Sequence, residues 1–175
     1  ASYEKWWREE FGRGHDHFRL PGQDNIRRYL PFERIRVRVA EADTEFEIEA
    51  RIAAAQAVGS RVLISMAPGM ESIQAGAQDH PEVEQVVETD EELAERIAAQ
   101  PAHATERVRY AAGDRVPRAV RIAAAQSGVY VADAPVIAEG RIELLWYLRE
   151  QSISYDYHRY GNLGSRAGET LRKPD

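Results

Sequence analysis

The chain contains no cysteine, which excludes disulfides, thiolate metal sites and any thiol nucleophile, and leaves the redox compartment open. Lysine is nearly missing as well: Lys5 and Lys173 are the only two, so the basic residues are almost all arginine. That skew reads as a genomic bias rather than a binding signal. Positive charge is in the minority, and a net charge of -6 argues against nucleic acid or an anionic membrane as partner, since both demand a basic surface. No stretch approaches the ~20 apolar residues of a membrane span, and the N-terminus carries no signal-peptide pattern, so a cytoplasmic location is the expectation. A nucleophile elbow of the Gly-x-Ser-x-Gly kind is absent; neither Gly59-Ser60 nor Gly164-Ser165 fits it.

What remains is an ordinary globular composition, 43% hydrophobic and 30% charged over 175 residues, enough for one domain with a proper core. Residues 2–11 predict a helix with Tyr3, Trp6, Trp7 and Phe11 on neighbouring turns. Turn residues then punctuate an extended lead-in as far as residue 33. Residues 34–40 alternate arginine with Ile35, Val37 and Val39, a strand with one apolar and one charged face. Thr44-x-x-Glu47 is a capping box for a helix with Phe46, Ile48, Ile52 and Ala55 inward and Gly59 at its end. Val62-Leu63-Ile64 is the continuous apolar run of a central parallel strand, and Pro68-Gly69 turns the chain after it. A weak helix over 71–78 and a short strand over 83–87 follow. Thr89-x-x-Glu92 is a second capping box, opening a helix with Leu93 and Ile97. Further strands are expected at 107–111, 129–133 and 152–159. Helices are expected from Pro117 to Ser127-Gly128 and over 142–149. Strands alternating with helices give βαβ units: an α/β, Rossmann-like parallel sheet with helices on both faces. The hexapeptide Arg-Ile-Ala-Ala-Ala-Gln at 51–56 recurs at 121–126, which chance accounts for in Ala-rich helices.

Residues 140–154, running from Gly140-Arg141-Ile142-Glu143 through Trp146-Tyr147 to Gln151-Ser152-Ile153-Ser154, and the tail Tyr155-Asp156-Tyr157-His158-Arg159-Tyr160-Gly161-Asn162-Leu163-Gly164 carry the most specific signal. They resemble the C-terminal end of bifunctional proline-catabolic enzymes of the proline utilization A type. Those enzymes join a flavin-dependent proline dehydrogenase to an NAD-dependent aldehyde dehydrogenase that oxidises glutamate semialdehyde. The resemblance covers residues 34–164 and extends to landmarks of the aldehyde dehydrogenase nucleotide domain, each altered. Where the family strand ends in Lys-Pro, this chain has Ala67-Pro68. Where the family has its pyrophosphate loop, this chain reads Tyr110-Ala111-Ala112-Gly113-Asp114-Arg115-Val116-Pro117. Ala112 and Pro117 stand at the two glycine positions there, and proline has no N–H to offer a phosphate. A one-residue shift recovers Gly113 as the turn glycine, which keeps Gly113 and Asp114 as candidate cofactor residues. Ala132 or Asp133 falls where the general base stands, and the catalytic domain with its nucleophilic cysteine has no room. The resemblance implies a non-catalytic domain whose terminal β-flap covers the cavity used by the intermediate. FAD and NAD would belong to the rest of the parent enzyme.

The expected layout is a lead-in helix and linker over 1–33, the aldehyde-dehydrogenase-like body over 34–150, a β-flap over 151–164 and a tail over 165–175. The start at Ala1-Ser2, within a helix and without Met, is expected of an excised piece. Ser152, Tyr155, Tyr157, His158, Arg159 and Tyr160 are the candidate interface residues, since Tyr and Arg are interface-enriched. On a strand Tyr155, Tyr157 and Arg159 face one side and Asp156, His158 and Tyr160 the other. The partners expected are catalytic domains of the parent protein or a second copy. A dinucleotide-binding module without chemistry is the competing reading. His15-Asp16-His17 reads as a solvated loop with its neighbours pointing apart rather than as a metal site, and His80 and His103 as loop residues. The acidic run Glu88, Asp90, Glu91, Glu92 and Glu95 reads as a solvated helix start. Arg34, Arg36 and Arg38 have two readings: clamping an acidic partner, or pairing with Glu45, Glu47 or Glu49.

Overall fold

In the computed structural model, which describes residues 2–70, 83–99, 107–157 and 164–170, the chain opens with α1 (Ser2–Trp6) and a π-helical turn (Trp7–Phe11). Then come β1 (Gln23–Pro31), β2 (Arg34–Val39), α2 (Glu45–Ala57), β3 (Arg61–Met66), β4 (Glu84–Val87) and α3 (Asp90–Ala99). The second half holds β5 (Arg107–Arg109), a 3-10 turn (Gly113–Arg115), α4 (Arg118–Ser127), β6 (Tyr130–Ala132) and α5 (Gly140–Glu143). A 3-10 turn (Leu144–Tyr147), β7 (Leu148–Asp156) and a last 3-10 turn (Gly164–Arg166) complete it. The weak helix expected over 71–78, His80 and His103 lie outside the described residues. Among those described, no helix is long and apolar enough to cross a membrane.

Five parallel strands form the sheet in the order β4-β3-β2-β5-β6. The winding reverses between β2 and β5, the place where an open α/β sheet leaves a crevice at its carboxyl ends. Ile35, Val37 and Val39 of β2 and Val62, Ile64 and Met66 of β3 face Ile48, Ile52 and Ala55 of α2, with Tyr3 and Phe11 beside them. On the opposite face Val108 of β5 packs with Leu93 and Ile97 of α3 and Val120, Ala123 and Ala124 of α4. The expected Rossmann-like α/β architecture is therefore present, with helices on both faces. Both capping boxes form: the Thr44 hydroxyl accepts from the Glu47 amide at 3.2 Å and the Thr89 hydroxyl from the Glu92 amide at 3.1 Å. Gly128 ends α4 in the left-handed conformation at φ 72°.

Several expectations are corrected. Phe46 is 53% exposed; it stands two residues from Ile48, some ~200° around the helix, and faces water. Arg36 and Arg38, on the charged face of β2, are both buried. Their partners are Glu88 and Asp90 at the start of α3, neither the α2 glutamates nor an outside protein. Glu88 is accordingly 1% exposed rather than part of a solvated helix start. Pro117 caps α4 from outside instead of entering its first turn. The helix expected over 142–149 stops at Tyr147, because the Trp146 carbonyl accepts from Arg107 and the Tyr147 carbonyl from the Phe32 amide. Those acceptors are lost to helical bonding, and Leu148 already begins a strand.

That strand, β7, pairs antiparallel along its nine residues with β1, from Gln23 opposite Asp156 to Pro31 opposite Leu148. Part of the lead-in is thus half of a two-stranded ribbon separate from the main sheet. Its root is fixed to the body: the Ser60 hydroxyl donates to the Phe32 carbonyl at 2.6 Å, and Tyr147 and Leu148 are buried.

Candidate functional site

Two surfaces compete for a role. The first is the crevice at the carboxyl ends of the strands, about 580 Å³, with Arg38, Glu41, Asp90, Tyr110 and Arg115 among its walls. Strand alternation places Arg38 and Arg36 beside Ser65 on one face, and the chain answers each with an acid. Arg38 donates to the Ser65 hydroxyl at 3.0 Å, the Glu88 carbonyl at 3.0 Å and the Asp90 carboxylate at 2.8 Å. Glu88 also takes hydrogen bonds from Arg36 at 2.5 Å, Ser65 at 2.6 Å and Arg96 at 2.8 Å. Burial pulls the Arg36 guanidinium below its ordinary range while Glu88 beside it opposes the shift. Arg115, from the loop after β5, donates to Asp43 at 2.8 Å and Glu47 at 2.9 Å. Hydrogen bonding from Arg115, then from Thr44, holds the Glu47 carboxyl down to about 2 against the opposing effect of its burial. Arg51 is fully buried, pairs with Asp43 and donates to the Arg38 carbonyl at 2.7 Å.

The guanidiniums that line the crevice therefore already hold carboxylates. The loop that resembles a pyrophosphate cradle is also turned on itself. The Arg115 amide donates to the Ala112 carbonyl and the Val116 amide to the Gly113 carbonyl, both at 3.3 Å. Arg121 ties the Gly113 carbonyl to the Asp133 carboxylate, 2.7 Å from each. A Cβ on Gly113 would come within 3.3 Å of that carboxylate. Asp114 points to solvent, and Ala67 and Pro68 form the lip without a cation. Two buried groups of this cluster are without a hydrogen-bond partner among the described residues: the Arg36 Nε and the Tyr110 hydroxyl, the latter on a residue 1% exposed.

The second surface is the ribbon. Tyr155 and Tyr157, 59% and 46% exposed, share a side with ring centroids 4.6 Å apart. The Tyr157 hydroxyl donates to Asp24 at 2.7 Å and Arg166 lies 4.3 Å from its ring; Ser154 donates to Asn25 at 2.6 Å. Asn25, Ser154, Tyr155 and Tyr157 thus meet at the distal end, with Ser152 nearer the root. His158, Arg159 and Tyr160 lie outside the described residues. The outer edge of β1 is partly covered, since His15 and Arg27 exchange both amide hydrogen bonds at 2.8 Å. Because the Arg27 amide points away from β7, Arg27 and Ser152 are a non-hydrogen-bonded pair. The amides of Glu150, Ser152 and Ser154 then face outward along an edge with no partner strand among the described residues. His15 and His17 do not point apart as expected but stack, 5.6 Å between centroids. Among the described residues no group of three or more His, Asp or Glu is placed to hold a metal.

A buried cluster at the ribbon root went unread in the sequence. Arg109 of β5 donates to Glu143 of α5 at 2.8 Å, and the Tyr147 hydroxyl donates to the same carboxylate at 3.0 Å. Tyr3 joins through the Ile137 carbonyl at 2.8 Å, and its hydroxyl is pushed up to about 12 by burial and then by Glu143. The readable signal was arginine at alternate positions of a short strand, Arg107 and Arg109, which a buried sheet admits only with polar partners.

Solved structures show what this arrangement is similar to. Proline utilization A (PutA) from Corynebacterium freiburgense matches with a TM-score of 0.57 and 28% identity over 92% of this chain. That share is too large to omit both strands of the ribbon. A 3,6-anhydro-L-galactose dehydrogenase matches with a TM-score of 0.52 and 11% identity, over 73% of this chain and 28% of its own. The fold is aldehyde-dehydrogenase-like. The chain spans only 13% of the PutA it matches. No protein-family model matches the chain, and no curated protein matches it in sequence.

Proposed function

We propose that this chain is a non-catalytic, aldehyde-dehydrogenase-like domain of a larger cytoplasmic proline-to-glutamate oxidoreductase, and that its ribbon docks on a catalytic domain of that protein and covers the passage of the intermediate. The observation that carries this reading is the ribbon itself: two nine-residue strands outside the main sheet, anchored at one end and with one edge that has no partner strand among the described residues. Such an edge pairs with another strand or stays a liability. The likeness to PutA supports a parent of that kind; its flavin and NAD, as the resemblance of the tail implies, would bind elsewhere. Without cysteine the chain forms no thiohemiacetal, so semialdehyde oxidation by a thiolate would rest with another domain. In this layout residues 34–150 are the body and 151–164 the flap, with β1 as the flap's second strand. In the parent protein, Ser152→Pro, which spoils the free edge, is expected to introduce a lag in NADH formation from proline. Oxidation of added semialdehyde should be unchanged. Coupled turnover without a lag would sink the proposal.

A cofactor-binding module is the second reading, favoured by the volume of the crevice and the unanswered Tyr110 hydroxyl. Calorimetry with NAD decides it. Saturable binding at micromolar ligand, lost in Gly113→Leu, supports it, and no heat at millimolar ligand removes it.

A further inference from the structure

The buried arginines of the body are matched by carboxylates: Arg36 by Glu88, Arg38 by Asp90, Arg51 by Asp43 and Arg109 by Glu143. At the root of the ribbon that matching stops. Arg107 lies between two rings, its Cζ 3.8 Å from the Phe32 centroid and 4.6 Å from that of Tyr130. It donates to the Trp146 carbonyl at 2.6 Å, its Nε is buried without an acceptor, and no carboxylate reaches it. Arg149 also approaches the Phe32 ring, at 5.8 Å, and stands exposed with no carboxylate. Arg28 donates only to Gln151, at 2.6 Å. In the ribbon register Leu30 faces Arg149 and Arg28 faces Gln151, so Arg28 and Arg149 are diagonal neighbours on one face. Arg107 thus contacts both rings, Arg149 approaches Phe32, and Arg28 continues the face as the diagonal neighbour of Arg149, in a chain whose net charge is -6.

We infer that this face receives a carboxylate-bearing segment of another polypeptide, its acidic side chains pairing with Arg107, Arg149 and Arg28 and its apolar ones lying on Phe32 and Tyr130. A guanidinium already oriented by aromatic faces loses little freedom on taking a carboxylate in its fork, and such Arg–Tyr clusters dominate interface energetics. Burial pushes Arg107 down to about 10 against the opposing effect of Tyr130, so an incoming carboxylate would stabilise its charge. A nucleic acid would meet the same arginines but also the repulsion of an acidic chain. The inference rests on the ribbon as a docking arm only for where the segment comes from.

The test uses the whole chain and a hexaglutamate peptide, following arginine Nε–H resonances by NMR at low salt. Saturable shifts are expected at Arg28, Arg107 and Arg149, and they should vanish in about 0.5 M salt. The exposed double reversal Arg28→Glu with Arg149→Glu should weaken the peptide by about tenfold or more while circular dichroism and Tm stay unchanged. Arg107→Lys, which keeps the charge and loses the fork, should weaken it too. Shifts spread equally over Arg8, Arg13 and Arg118, no response to the double reversal, or tighter binding of a single-stranded oligonucleotide than of the peptide would each overturn the assignment. The peptide probes this face without any parent domain, so its failure and a failure of the coupled-turnover test are separate results.

Discussion

The sheet body and the ribbon treat charge in opposite ways. In the body, arginines that a Rossmann-like crevice could turn toward phosphates are buried against acids of the same chain. At the ribbon and its root, Arg107 of β5 and Arg149 of β7 lie beside the Phe32 ring, the strand amides on one edge have no partner strand among the described residues, and two tyrosines stand in solvent. The lesson is that a fold is emptied of an old ligand by internal pairing, while a docking surface is recognised by what its own chain leaves unmatched.

The comparison breaks most visibly at the buried root. Glu143→Ala strands the Arg109 charge with no exposure to water, and is expected to cost about 3–5 kcal/mol in urea unfolding. A loss under about 1 kcal/mol would mean that the body does not depend on internal pairing. The ribbon gives a sharper, smaller contrast. Ile153→Pro removes an amide that pairs with β1 and should cost about 1–2 kcal/mol, while Ser152→Pro removes an outward amide and should cost well under about 1 kcal/mol. Equal costs would show the free edge to be misplaced. Tyr110→Phe deletes the buried, unpartnered hydroxyl, and a gain of about 1 kcal/mol in the isolated chain is expected. A clear loss would reveal a hidden partner in the crevice.

The smallest effect is one of pH. Glu47 is depressed from 4.5 to about 2, so its contribution to stability is complete above 4.5 and is lost as pH falls toward 2. Glu47→Gln should lower stability by a constant amount above pH 4.5 and flatten the profile between pH 4.5 and 2. An unaltered profile between pH 4.5 and 2 would remove Arg115 as the cause.

Much of the body was legible because its signals are local. Thr44 to Glu47 and Thr89 to Glu92 are each three residues apart and form the boxes that their spacing announces. The apolar run at Val62 gives the central strand beside β2. The buried ionic network was not legible, since Arg36 finds Glu88 across 52 residues and only the parallel register brings them together. The strand β1 was hidden for another reason. Gln23–Pro31 lies half-buried on both faces and so lacks the alternation that marks a one-sided strand. At the ribbon the sequence located the tyrosines and the side they share, through strand alternation and the tail's resemblance. Arg107, Phe32 and Tyr130 come from three separate segments, and no local pattern joins them.

Hydrogen exchange on Glu150, Ser152 and Ser154, compared between the isolated chain and the full-length parent protein, tests the central claim most directly. Fast exchange in the isolated chain, slowed by about a hundredfold in the parent while the crevice loop around Gly113 keeps its rate, is the result expected of a ribbon that finds its missing strand there. Equal rates at those three amides in both proteins, or protection of the Gly113 loop instead, would contradict it.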